Sequence, residues 1–112
     1  MSRKKIYDTW SIPRGVAKIA KAVCADYERR SAVLRAGSAS NAVLEEYRKL
    51  NAAVDAALAE IEEPAIRADI LKNIIERRGY EKTFVTTYIC ENSYYARQRR
   101  VLCLIAKNLL LI

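Results

Sequence analysis

The sequence predicts an all-α fold: an N-terminal antiparallel helical hairpin followed by a three-helix helix-turn-helix unit. Three observations predict it. Only three glycines and two prolines interrupt 112 residues, which disfavours a many-turned β fold and leaves room for long helices. Apolar residues recur at steps of three and four, the period of one helix face. Residues that start or stop helices stand between those stretches: Pro13, Gly37, Ser40, Pro64, Gly79 and Ser93.

The elements follow in order. Residues 1–12 read as a basic arm carrying Arg3, Lys4 and Lys5. Residues 13–62 form the hairpin. Ser11 is a candidate N-cap and Pro13 suits a first turn. Val16, Ile19, Ala20, Val23, Tyr27 and Leu34 then space out one helix over about 13–35. Gly37 can take the left-handed cap conformation that ends it. Ser40 or Asn41 caps the second helix, whose stripe Val43, Tyr47, Leu50, Val54, Leu58 and Ile61 is close to a heptad seam. The plain reading of both stripes is ordinary core.

Residues 63–112 form the second unit. Pro64 opens a helix with Ile66, Ile70 and Ile74 on one row and Leu71 and Ile75 beside it. Gly79 is its expected cap. Residues 80–89 read as a short fourth helix through the row Tyr80, Phe84, Tyr88, although Thr83, Val85, Thr86 and Thr87 suit a strand equally. Residues 90–92 are the expected turn. Ser93 caps a fifth helix that runs to about Leu110.

Charge and composition narrow the function. The hydrophobic fraction of 52% opposes disorder. The net charge is +7, distributed as +6 over residues 1–36, −4 over 37–63 and +5 over 64–112. Two basic segments flanking an acidic one suit attraction to a polyanion, with the acidic middle turned away from it or paired with the basic arm. The chain has no histidine, so neither a Ser-His-Asp nor a Cys-His nucleophile can be built. Cys24, Cys90 and Cys103 are odd in number and show no C-x-x-C spacing, which points to free thiols in a reducing cytoplasm and to no zinc site. No apolar stretch reads as a membrane span. No cofactor and no enzymatic activity are expected.

The most informative segment is residues 89–110. Behind Asn92 and Ser93 come Tyr94 and Tyr95, then Arg97, Gln98, Arg99 and Arg100, then an apolar stripe. At 100° per residue, with Tyr95 taken as the core direction, Leu102, Ala106 and Leu109 fall within about 40° of it, and Ile105 and Gln98 lie at its edge. Ser93, Arg97, Arg100 and Leu104 fall on the far side. Such a helix can enter a DNA major groove with its first turns and anchor with its last. Arg97 and Arg100, with Tyr94 and Gln98, are the expected base readers, Arg97 pairing guanine and Gln98 adenine. Ser93, Arg99, Lys107 and Lys82 are expected to position the phosphate backbone.

These residues also carry a likeness. SYYARQRRVLCLIAKNLLL resembles the end of phage-encoded transcriptional regulators of the ArpU/RinA type, themselves similar to the promoter-reading end of sigma factors. The likeness covers Ser93 to Leu109 well and Ala65 to Ile75 loosely. It departs at EKTFVTTYI, where that family shows a clearer alanine-containing scaffold helix, and at the outward Leu104. It implies transcription control by DNA binding in a phage or prophage. The implied partners are double-stranded DNA, a second copy of the chain through the hairpin, and RNA polymerase or another phage or host protein, with no membrane. The alternative is a helical protein–protein interaction module that binds no nucleic acid. It predicts that the arginines of 93–110 pair with Glu45, Glu46 and Asp55.

Overall fold

The structure, a computed structural model, describes residues 11–80 and 89–112, and those residues are all-helical. Five helices are seen: α1 Arg14–Ala25, α2 Tyr27–Ala36, α3 Asn41–Ala59, α4 Pro64–Ile75 and α5 Glu91–Asn108. The basic arm through residue 10, the fourth helix expected over 80–89 and Lys82 lie outside the described residues, apart from Tyr80 and Ile89.

The single helix expected over 13–35 is two. It breaks at Asp26, whose backbone stands at φ −94°, ψ 8°. The Asp26 carboxylate takes two hydrogen bonds from Arg29, at 2.7 and 2.6 Å, and lies 3.7 Å from Arg30. A carboxylate at the start of a helix also suits its dipole. Nor is Ser11 the cap of α1: Pro13 holds that position, and the Pro13 carbonyl accepts the first helical bond, from the Ala17 N–H.

α2 and α3 form the expected antiparallel hairpin. Gly37, at φ 61°, is the left-handed cap of α2, and Ser40 caps α3 by accepting from the Val43 N–H. The cross-helix bonds run in opposite directions along the two helices: Tyr27 donates to Asp55, and Arg30 donates to Asn51. The seam of α3 is buried only in its second half. Val54, Leu58 and Ile61 are core, whereas Val43 is exposed and Leu44 takes the inner position.

Because the chain bends at Asp26, α1 leaves the hairpin and packs on α4 and α5. α5 packs against both α1 and α3. One hydrophobic cluster joins Cys24 of α1, Val54 and Leu58 of α3, Ile66, Ile70 and Ile74 of α4, and Tyr94, Val101 and Ile105 of α5. No described helix is long and apolar enough to cross a membrane.

Candidate nucleic-acid interface

The helix expected to read DNA is the middle of the bundle, and its orientation differs from the one the periodicity suggests. It begins three residues early, at Glu91, with Cys90 in the cap position. Residues 91 and 92 are thus helix and not turn, and Ser93 lies inside the first turn. Ser93 instead hydrogen-bonds the exposed Cys90 thiol, which holds that thiol below its usual range.

The core side of α5 is set by Tyr94, not Tyr95. Tyr94 is wholly buried, as are Val101 and Ile105, and Gln98 is only 8% exposed. Tyr95 is half-buried, whereas Val101, about 120° round the helix from it, is buried. A helix with neighbours on two sides needs a wider apolar arc than one lying on a single surface. The arc through Val101 and Ile105 supplies it. Tyr94 and Gln98, expected as base readers, are accordingly part of the interior. The Tyr94 hydroxyl accepts from Asn73 Nδ2 at 2.8 Å, and burial raises its pKa.

Arg97 and Arg100 reach carboxylates at the joint between α3 and α4. Arg97 Nη2 lies 3.2 Å from Glu63 Oε2, and Arg100 Nη2 lies 3.4 Å from Glu60 Oε1. The Arg97 bond holds the Glu63 carboxyl below its ordinary range. The partners are not Glu45, Glu46 and Asp55; Asp55 takes the Tyr27 hydroxyl instead, whose pKa this bond and burial push up to about 12. Both arginines keep about a third of their surface, at 34% and 36%. Arg99 is half-buried and Lys107 exposed.

A second basic feature escaped the sequence reading. Lys21 of α1 and Arg77 and Arg78, just past the end of α4, line one cleft of about 510 Å³ with Asn73, Tyr95 and Gln98. Among the described residues no carboxylate lines it, and Arg78 Nη1 lies 3.2 Å from Glu76 Oε1 beside it. Arg14 and Lys18, seven and three residues before Lys21, extend the same outer row of α1, and all three are exposed. Arg99 lies on the Tyr95 side of α5, about 40° round from it, so it belongs to the cleft side. Arg97 and Arg100 belong to the opposite side.

The turn that carries Arg77 is built differently from expectation. α4 ends at Ile75, and the left-handed residue is Arg77, at φ 58°, not Gly79. The Arg78 N–H closes the turn on the Asn73 carbonyl at 2.7 Å. Gly79 serves close approach: a Cβ there would lie 2.6 Å from the Tyr95 hydroxyl, which accepts from the Tyr80 N–H. Asn73, wholly buried at the cleft, gives Nδ2 to Tyr94, while its Oδ1 has no hydrogen-bond partner. A buried acceptor left unmade costs roughly 1–3 kcal/mol. The sequence signals for this site were the Arg77-Arg78 pair and the Arg14, Lys18, Lys21 row, each of which also reads as solvated surface.

No family model, no curated protein and no solved structure matches the chain.

Proposed function

We propose that the chain is a DNA-binding transcriptional regulator, phage or prophage encoded, that meets duplex DNA on the face formed by α1 and the end of α4. The observation that carries this reading is the convergence of Lys21, Arg77 and Arg78 on one cleft, continued outward by Lys18 and Arg14. A cation row beside a helix end is suited to phosphate contact. Arg99, on the Tyr95 side of α5, adds to it, and the likeness of residues 93–109 to phage regulators supports the same class of function. Arg97 and Arg100, on the opposite side of α5, hold Glu63 and Glu60 and stand outside this face. Dimerisation through the hairpin rests on the exposed Val43 at the start of α3.

Fluorescence anisotropy with random duplex DNA across a salt series tests the reading. Affinity should fall steeply with salt, and Lys21→Ala/Arg77→Ala should make the log–log slope shallower by about two. A folded protein that binds no duplex at low salt would sink the proposal.

One observation favours a second reading, a helical interaction protein that touches no nucleic acid: Arg97 and Arg100 already hold Glu63 and Glu60. Under it, Arg97→Ala/Arg100→Ala lowers stability and no duplex binding is seen in any variant.

A further inference from the structure

α3 is longer than the stretch of it that α5 covers. One row of α3 runs Val43, Glu46, Leu50, Ala53, Ala57 and Glu60, at steps of three and four. The second half of the row faces α5. The Ala53 carbonyl accepts from Asn108 Nδ2 at 3.1 Å, Ala57 is wholly buried, and Glu60 takes Arg100. α5 therefore runs antiparallel to α3, and its last residue, Asn108, stands level with Ala53. Val43, Glu46 and Leu50 continue the row past that point. At 100° per residue they lie within about 40° of the Ala57 direction. α2 covers a different flank, through Arg29 on Tyr47 and Arg30 on Asn51. Val43 is exposed and Leu50 half-buried. Two more exposed apolar residues, Leu110 and Ile112, follow the end of α5.

We propose that this uncovered stretch of α3 pairs antiparallel with the same stretch of a second copy, about a two-fold axis passing between Tyr47 and Arg48. A two-fold interface must be self-complementary, and this stretch is. Glu46 of each copy comes level with Lys49 of the other. Val43 of each copy falls between Leu50 and Ala53 of the other, as a knob enters a hole. Glu46 and Lys49 are both exposed, and among the described residues neither has an ion-pair or hydrogen-bond partner. Lys49 lies about 80° from the Ala57 direction, the flanking place from which charges set the orientation of paired helices. A parallel pairing would put Glu46 beside Glu46 and Lys49 beside Lys49, so the charges select the antiparallel one. A partner of a single charge sign would meet repulsion from half of the strip. The start of the second copy's α3 then stands end-on to α5, N-terminus to C-terminus, which the two helix dipoles favour. Leu110 and Ile112 lie at that junction. This inference rests on the hairpin dimerisation within the regulator reading, to which it gives a face and a register, and does not depend on duplex binding.

Sedimentation equilibrium of the full chain, over concentrations up to about 1 mM, is the test. A monomer–dimer equilibrium is expected. Lys49→Glu sets like charges across the axis and should weaken the dimer at least about tenfold, and Glu46→Lys should do the same. Glu46→Lys/Lys49→Glu restores opposite charges in the swapped sense and should return the dissociation constant to within about threefold of wild type. Both positions are exposed, so an unchanged far-ultraviolet circular dichroism spectrum shows that each variant is folded. Cross-linking reads the orientation. In a Cys90→Ser background, oxidation of mixed Val43→Cys and Leu50→Cys chains should link the two variants to each other. Links between two Val43→Cys chains would identify a parallel pair and overturn the proposal. So would a folded chain that stays monomeric throughout, a dimer indifferent to Lys49→Glu, or a double swap that fails to restore association. Duplex anisotropy on the same samples reports the DNA reading separately. A wild-type dimer that binds no duplex sinks that reading alone, and a monomer that binds duplex sinks only this one.

Discussion

Single side chains in this protein behave according to what surrounds them, and the three thiols show it most simply. Cys24 lies in the core, where burial pushes its thiol up to about 11 against the opposing pull of the Arg30 charge. Cys90 is exposed at the start of α5, where the Ser93 hydrogen bond lowers it. Alkylation proceeds through the thiolate. Timed iodoacetamide labelling at neutral pH, read by peptide mass spectrometry, should therefore modify Cys90 first and leave Cys24 untouched until the chain unfolds. Equal rates would show that α5 does not start where described. The Glu63 carboxyl gives a pH prediction with a definite sign. Its folded pKa is depressed by Arg97, so the pair contributes stability above the unfolded carboxylate pKa of about 4.3, and that contribution is lost as pH falls through the lower folded value. Melting temperatures of the wild type and Arg97→Ala should differ near neutral pH and converge toward about pH 3. The difference should also shrink in high salt, because both groups are partly exposed.

At the scale of the element, helix ends carry the information. α2 ends on Gly37, whose positive φ suits glycine. α4 ends on Arg77 in the same conformation, which costs a side-chain-bearing residue roughly 1–2 kcal/mol. Replacing Arg77 by glycine removes that strain but adds freedom to the unfolded chain, about 0.4–1 kcal/mol. The net expectation is a gain of about 0.5 kcal/mol, a rise of a few degrees in melting temperature. The same variant should lose duplex affinity. Stability and binding that move in opposite directions at one residue would mark Arg77 as held in a costly conformation for what it contacts. If both fall together, the residue is simply structural.

The whole molecule is organised around α5, which packs against both α1 and α3 once the N-terminal helix ends at Asp26. Ile105 is the test of that centrality. It is wholly buried in the single cluster shared by every described helix except α2. Ile105→Ala should destabilise the entire fold by about 3 kcal/mol, in one cooperative transition by circular dichroism. A loss confined to the last helix, with the hairpin still melting at its own temperature, would instead mean that the C-terminal part folds as a separate unit.

The sequence by itself determined the class of fold and most of its punctuation. Few glycines and prolines, a 3.6-residue apolar period, Gly37, Ser40 and Pro64 are local properties, and each acts within a turn of its own position. The isoleucine row of α4 was legible for the same reason: Ile66, Ile70 and Ile74 are all interior. What only the tertiary structure decided was which side of α5 faces the core. Periodicity defines a stripe but not the number of neighbours that press on it, so a helix covered on two sides rotates Tyr94 and Gln98 inward and leaves Tyr95 at a wall. The kink at Asp26 was hidden likewise, since Val16 to Leu34 keep their spacing across it. Partners of charged side chains were least legible of all. Glu63 lies 34 residues from Arg97, and Lys21 lies more than 50 from Arg77. Distances of that kind are set by how helices pack and not by the order in which their residues occur, which is why the basic cleft became visible only in the folded chain.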